Sequence, residues 1–264
     1  MNRRNFLAAT TAAGALTLTD MTDAAETEES ESPQYIELIK IHQFTGPKKQ
    51  IMPDFYKDVA IPALNRIGIG PIGLFTALHG PNAPTLWVLI PHPSIESFLT
   101  KYDRLMADAT FLKDGEKVIN APFSDPAYIR EEISLMKAFK NMPKVEAPTN
   151  LLDKNSRIFE MRIYESHNRQ KNKLKIQMFN EGGEIEIFRK TGLQPVFFGE
   201  MLVGQQMPNL TYMVVFENMA AREKNWEVFR SHPDWIKLRD DKTYADTVSN
   251  ITDLILRPVT GSQI

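Results

Sequence analysis

Over residues 157–164 the chain alternates: Phe159, Met161 and Ile163 fall on one side, Glu160, Arg162 and Tyr164 on the other. A period of two predicts a strand with unlike faces. The same reading predicts a strand over residues 35–42. After each strand the apolar spacing lengthens toward that of a helix. Met52, Phe55, Val59 and Ala63 share one face of the first helical stretch, and Leu174, Met178, Ile185 and Phe188 are among the apolar positions of the second. Gly68 and Gly192 end these stretches, as suits positions that need a left-handed backbone. Two apolar runs follow in each half, 72–78 with 86–90 and 196–203 with 211–216. They are predicted antiparallel pairs, turning at Gly80-Pro81-Asn82 and Gly204-Gln205-Gln206. Ser94 and Asn218 are good N-caps for a second helix in each half. Closing strands are predicted over 133–139 and 251–257.

The pattern therefore occurs twice, and one ungapped offset of 124 residues aligns much of it. Gly68 meets Gly192, Pro71 meets Pro195, Gly80 meets Gly204, Pro84 meets Pro208, Ser94 meets Asn218, and Phe111-Leu112-Lys113 meets Trp235-Ile236-Lys237. Self-similarity at a fixed offset predicts two copies of one unit. Strand, helix, strand, strand, helix, strand is the ferredoxin-like order. Such a sheet carries helices on one face only, so its other face needs a partner, and a second copy supplies it. The expected fold is α+β: two tandem ferredoxin-like units, 34–140 and 156–260, closed into a pseudo-dimer across a linker at 141–155.

Composition narrows the functional classes. The chain has 264 residues, a formal charge of −2 and no cysteine. Without a basic excess a nucleic-acid partner is not expected, and without cysteine there is neither disulfide nor thiolate chemistry. The start, Arg3-Arg4-Asn5-Phe6-Leu7 followed by an uncharged run over 8–18, is too short to span a bilayer as a helix. It resembles a twin-arginine signal peptide over residues 1–25. That implies export to the periplasm or beyond, with no membrane anchor once the signal is removed. The acidic, polar residues 26–33 read as a disordered spacer.

Two motifs in the second half carry a family resemblance. Glu160-Met161-Arg162-Ile163-Tyr164 resembles the E-x-R-x-Y opening strand of NIPSNAP domains. Phe229-Arg230-Ser231-His232-Pro233-Asp234-Trp235 resembles their late F-x-x-H-P-x-W signature, placed where one helix ends and the next begins. The match spans roughly residues 157–258. In the first half Asp108 replaces His232, Phe111 replaces Trp235, and the opening strand keeps Lys40 for Arg162 and His42 for Tyr164. The resemblance implies a dimeric α/β-barrel fold, the group that includes cofactor-free monooxygenases and haem-dependent chlorite-dismutase-like enzymes. The NIPSNAP branch itself implies no settled activity, and no cofactor follows from it.

Candidate site residues gather in the second half. His232 and Trp235 either line a cleft between helices and sheet, or serve architecture through a capping box, Ser231-x-x-Asp234. Glu160, Arg162 and Tyr164 form either a paired buried network or the polar floor of a pocket. His167, just past the strand, is a loop histidine or a site residue at a strand end. Gly182-Gly183 reads as a bend between short helices or as a close approach to a ligand. Glu184 and Glu200 complete the candidate pocket, whose aromatic supply suits a small apolar or aromatic molecule. His79 and His92 read as turn residues. No short ligand spacing suggests a metal, and no nucleophile elbow, phosphate loop or dinucleotide fingerprint occurs. The rival to a ligand-binding protein is a non-catalytic interaction module, with a homodimer open under either reading.

Overall fold

The computed structural model describes residues 32–77, 84–149 and 156–264. The predicted signal peptide, nearly all of the spacer, the turn at residues 80–82 with His79, and the end of the linker lie outside the described residues. Glu31–Ile264 forms one compact unit. Its strands are β1 (Tyr35–His42), β2 (Gly73–Ala77), β3 (Thr85–His92), β4 (Arg130–Ala138), β5 (Ile158–Glu165), β6 (Gln194–Val203), β7 (Asn209–Phe216) and β8 (Asn250–Pro258). The first-half helices are α1 (Ile51–Phe55), α2 (Ile61–Arg66), α3 (Ile95–Met106), α4 (Ala109–Asp114) and α5 (Glu116–Ile119). The second half holds α6 (Arg169–Asn180), α7 (Glu184–Lys190), α8 (Met219–Ser231) and α9 (Pro233–Arg239).

The strands close into one antiparallel barrel in the ring order β1-β3-β2-β8-β5-β7-β6-β4. Each half contributes four neighbouring strands in the same internal order, and the seams are β2 with β8 and β4 with β6. Closure leaves no free sheet edge in the ring. At the β4–β6 seam a Cβ on Gly199 would stand 2.8 Å from Met136 Cβ, so glycine is what allows the strands to approach there. Residues 142–146, predicted as linker, pack against the barrel rather than hanging free. Met142 and Val145 are buried, and the Glu146 amide donates to the Val196 carbonyl at 2.9 Å.

Period-two alternation sends one side of every strand into the barrel and the other toward helices. Inside lie Ile36, Leu38, Phe75, Met136, Phe159, Met161, Phe197 and Met213, among others. Outside, each half has its own core between sheet and helices, one built around Ile39, Leu64 and Val88, the other around Phe188, Phe198 and Tyr212. The helix ends repeat in detail. Gly68 and Gly192 have φ of 76° and 79°, and the amides of Ile69 and Leu193 reach back to the Leu64 and Phe188 carbonyls. Ser94 and Asn218 each cap a helix by accepting from the amide three residues on.

One alignment is corrected. In the ladders Glu37 lies opposite Ile90 and Glu160 opposite Val214, so the opening strands correspond at an offset of 123 residues, not the 122 that pairs Lys40 with Arg162 and His42 with Tyr164. Ile39 and Ile41 occupy the places of Arg162 and Tyr164, and Glu37 the place of Glu160. Lys40 and His42 fall on the other face, toward the barrel interior. A one-residue slip exchanges the faces of a strand.

Candidate functional site

On the helix-facing side of β5, Glu160 is fully buried and saturated with donors. Arg222 on α8 donates through Nε and Nη2 at 2.9 and 2.7 Å, the Trp226 indole at 2.7 Å, and Arg162 Nη1 at 3.1 Å. Arg162 lies over the Trp226 ring at 4.7 Å from its centroid, and its Nε stands 3.0 Å from Asp253 as an ion pair without hydrogen-bond alignment. Tyr164 accepts a 2.9 Å bond from the Tyr212 hydroxyl, and burial raises its own hydroxyl to about 12. Of the two arrangements open for this stripe, the geometry is that of a paired network. A buried carboxylate holding four donors clamps helix to sheet, because each donor would otherwise be left unpaired.

The remaining predicted residues divide. Glu184, fully buried, accepts from Lys175 at 2.8 Å, and the same ammonium lies over Phe179, Tyr164 and Trp235 at 4.7, 5.7 and 5.7 Å from their centroids. Burial still leaves the Glu184 carboxyl above its ordinary range. Trp235 lies against Phe229, with ring centroids 4.5 Å apart and planes tilted by 34°. His232 does not join this group: its Nδ1 accepts from the Asp234 amide at 3.2 Å and caps α9. Asp108, the corresponding first-half residue, caps α4 in the same way. The expected capping box is therefore corrected, because His232 is the cap and the Ser231 hydroxyl turns back to the carbonyls of Glu227 and Val228. His167 is exposed, 3.8 Å from Asp246. Glu200 stands half-buried on β6, paired in the ladder with Lys137 and Leu210. Gly183, at φ 81°, makes the bend that starts α7.

The second-half cleft is thus packed rather than open. Phe188 meets Phe198, Tyr212 and Phe229 at centroid distances of 5.6, 5.6 and 4.9 Å, and Phe179 meets Phe198 at 5.1 Å. The matching space in the first half is a cavity of about 500 Å³. Corresponding residues differ in size. Leu64 stands for Phe188 four residues before the helix-ending glycine, and Leu105 for Phe229 eleven after the capping residue. Leu74 and Val88 stand for Phe198 and Tyr212 in matching ladder pairs. Leu64 and Leu105 line the cavity in place of two rings, while Leu74 and Val88 are buried in the sheet behind it. Pro62, lacking an N–H, also breaks the helical ladder there. A π turn, Tyr56–Ala60, joins α1 to α2 on the cavity wall, with the Ile61 amide reaching the Tyr56 carbonyl.

The cavity is apolar over most of its wall, with Phe55, Phe98 and Phe111 among the lining rings, and polar at one end. There Glu37, buried on β1, accepts from Lys101 at 2.6 and 2.7 Å and from His92 at 2.9 Å. Burial pushes the Glu37 carboxyl up, but the His92 hydrogen bond and the Lys101 charge outweigh it and hold the group below its ordinary range. His92 is no turn residue: it closes β3, is fully buried, and meets the Ser97 hydroxyl at 3.3 Å. Glu131 on β4 lines the same end. Burial of its carboxyl raises it, Lys101 lowers it and Glu37 raises it again, leaving it above its ordinary range. The Tyr56 hydroxyl is driven up as well, first by burial and then by Glu131.

A second cavity, about 230 Å³, opens at one end of the barrel interior and is lined by Lys40, Trp87, Glu132 and Gln205 among others. Glu132 accepts from His42 and Gln205 and sits 3.4 Å from Lys40. The Trp87 indole N–H is buried without an acceptor. Among the described residues no three His, Cys, Asp or Glu side chains are grouped to hold a metal, and no helix is long and apolar enough to cross a membrane.

Against known proteins, the NIPSNAP family model matches residues 159–263, within the second half. No curated protein matches the chain. Among solved structures, a Lactobacillus acidophilus protein provisionally named a monooxygenase is 8% identical, with a TM-score of 0.58 over 87% of this chain and 95% of its own. A Fusobacterium nucleatum protein of the same provisional name is 10% identical, with a TM-score of 0.52 over 86% of this chain and 93% of its own. An uncharacterized NIPSNAP-like domain protein from Burkholderia xenovorans is 19% identical and covers 42% of this chain and 91% of its own, with a TM-score of 0.37. The first two likenesses concern the fold alone, an α+β arrangement around a barrel sheet.

Proposed function

We propose that this chain is a small-molecule-binding protein whose ligand, apolar or aromatic over most of its surface, occupies the first-half cavity. The observation that carries this reading is the cavity of about 500 Å³, lined by apolar side chains and closed at one end by Glu37, Lys101 and Glu131. An apolar wall with a few convergent polar groups is the usual make-up of a ligand site. The filled second-half cleft is what moves the reading away from the NIPSNAP motif residues and into the diverged half. Turnover of the bound molecule, an oxidation if the chain follows the names of its two fold neighbours, is the enzymatic extension.

Around this site we read two tandem ferredoxin-like units, about 34–140 and 156–260, and a twin-arginine leader that sends the folded chain to the periplasm or beyond. The test is titration with N-phenyl-1-naphthylamine, which fluoresces on entering an apolar site. Saturable binding is expected, and Ala60→Phe, placed on the buried π turn of the cavity wall, should abolish it while the protein stays folded. Undiminished binding to that variant would refute the placement. A second reading, an interaction module, is favoured by Leu99 and Tyr102, exposed at the cavity rim. Under it Leu99→Glu would change the oligomeric state and leave probe binding intact.

A further inference from the structure

We propose that the first-half cavity takes an amphipathic amine, with the ammonium group set against Glu131 and the apolar body against the aromatic wall. This rests on the cavity being a ligand site, and goes on to name the chemical class of its occupant.

The argument is a pairing of charges. Two carboxylates, Glu37 and Glu131, and one ammonium, Lys101, line the polar end. Lys101 is committed to Glu37, with Nζ 2.6 and 2.7 Å from the two carboxylate oxygens. His92, behind the cavity wall, completes the set of partners on Glu37 at 2.9 Å. Glu37 is thus fully engaged, and no hydrogen bond or ion pair ties Glu131 to a neighbour among the described residues. The other ionisable groups lining the cavity are the phenols of Tyr56, Tyr102 and Tyr128, none of which brings positive charge. The site therefore holds one carboxylate more than it holds cations.

An anionic ligand would face this excess directly. A neutral alcohol would gain a hydrogen bond but leave the charge without a counter-ion. A ligand ammonium supplies the missing partner, and a charge-assisted bond is about twice as strong as a neutral one. The rest of the wall suits the same choice. Phe55, Phe98, Phe111 and the three tyrosines line the cavity, and ring faces attract cations. Although Glu131 keeps part of its surface in solvent, partial burial and the neighbouring Glu37 charge hold its carboxyl above its ordinary range against the lowering charge of Lys101.

Three probes of one shape separate the possibilities: 2-naphthylmethylamine, 2-naphthalenemethanol and 2-naphthoate, titrated calorimetrically into the full chain at neutral pH. The amine should bind at least tenfold more tightly than the alcohol, and the carboxylate most weakly. Glu131→Gln, whose amide oxygen can still accept from a hydroxyl, should remove the amine's advantage over the alcohol. Equal binding of amine and alcohol to the unaltered protein, or an amine preference that survives Glu131→Gln, would overturn the proposal while the cavity reading stands. Binding of none of the three would overturn both.

Discussion

Glu160→Ala tests whether the polar stripe of β5 is a clamp or a binding surface, the two arrangements its alternation allows. Glu160 is fully buried and takes donors from Arg222, Trp226 and Arg162. Arg222 keeps 21% of its side-chain surface in solvent and can rehydrate after the change, whereas Trp226 is 6% exposed and its N–H would stay unpaired. Breaking a buried ion pair by removing one partner costs about 3–5 kcal/mol. The partial rehydration of Arg222 argues for the lower part of that range. With a urea slope of about 3 kcal/mol per molar, a loss of about 3–4 kcal/mol moves the unfolding midpoint down by about 1 M. Equilibrium urea unfolding followed by far-ultraviolet circular dichroism reads this directly, with the slope checked for constancy. A shift below about 0.3 M, or under 1 kcal/mol at that slope, would refute the clamp and return Glu160 to the floor of a pocket.

Lys175→Met should cost about 3–5 kcal/mol, because it leaves the Glu184 carboxylate buried without its 2.8 Å partner. Lys175→Met with Glu184→Leu should recover most of that loss, and a urea double-mutant cycle showing simple additivity would contradict the pairing. Acid stability should depend on Glu37. Its folded-state carboxyl is held below the ordinary value of 4.5, so its contribution is full above that value and is lost as pH falls through the lower folded value. Thermal unfolding between pH 5 and 3 should therefore fall less steeply for Glu37→Gln than for the unaltered chain, and parallel slopes would show that Glu37 does not carry the acid limb.

Much of the architecture can be read from local pattern. Strand phases, the glycines that end helices and the caps at Ser94 and Asn218 are decided by neighbours a few residues away, and they stand where the periodicity puts them. The phase of β1 relative to β5 could not be read from the offset that serves the later elements. The copies differ by one residue between opening strand and helix end, and that one residue reverses which side chains enter the barrel. Glu160 was visible as an oddity on a strand, but its partners Arg222 and Trp226 lie 62 and 66 residues on, beyond any local signal. His232 drew attention as a motif residue, although its bond is to the backbone two residues ahead. The cavity was legible after all. Leu64, Leu74, Val88 and Leu105 align with Phe188, Phe198, Tyr212 and Phe229 at the same offset of 124, so the exchange of rings for aliphatic groups stands in the sequence.

A space of that size would be hard to sustain in a sealed core. A closed void costs about 24 cal/mol per Å³, so a sealed space of about 500 Å³ would cost about 12 kcal/mol. That is comparable with the whole stability of a typical domain, about 5–15 kcal/mol. Here the space is open at its rim, where Leu99 and Tyr102 are 67% and 64% exposed and Ile133 is 44% exposed. Access from solvent removes most of that penalty and leaves a wettable, apolar-walled recess. The second half spends its aromatic side chains on packing and anchors α8 through Glu160. The first half keeps the equivalent carboxylate, Glu37, but binds it to Lys101 and His92 at the edge of the opened space. One strand position thus serves as a clamp where the rings fill the cleft, and as the polar end of an open recess in the other half.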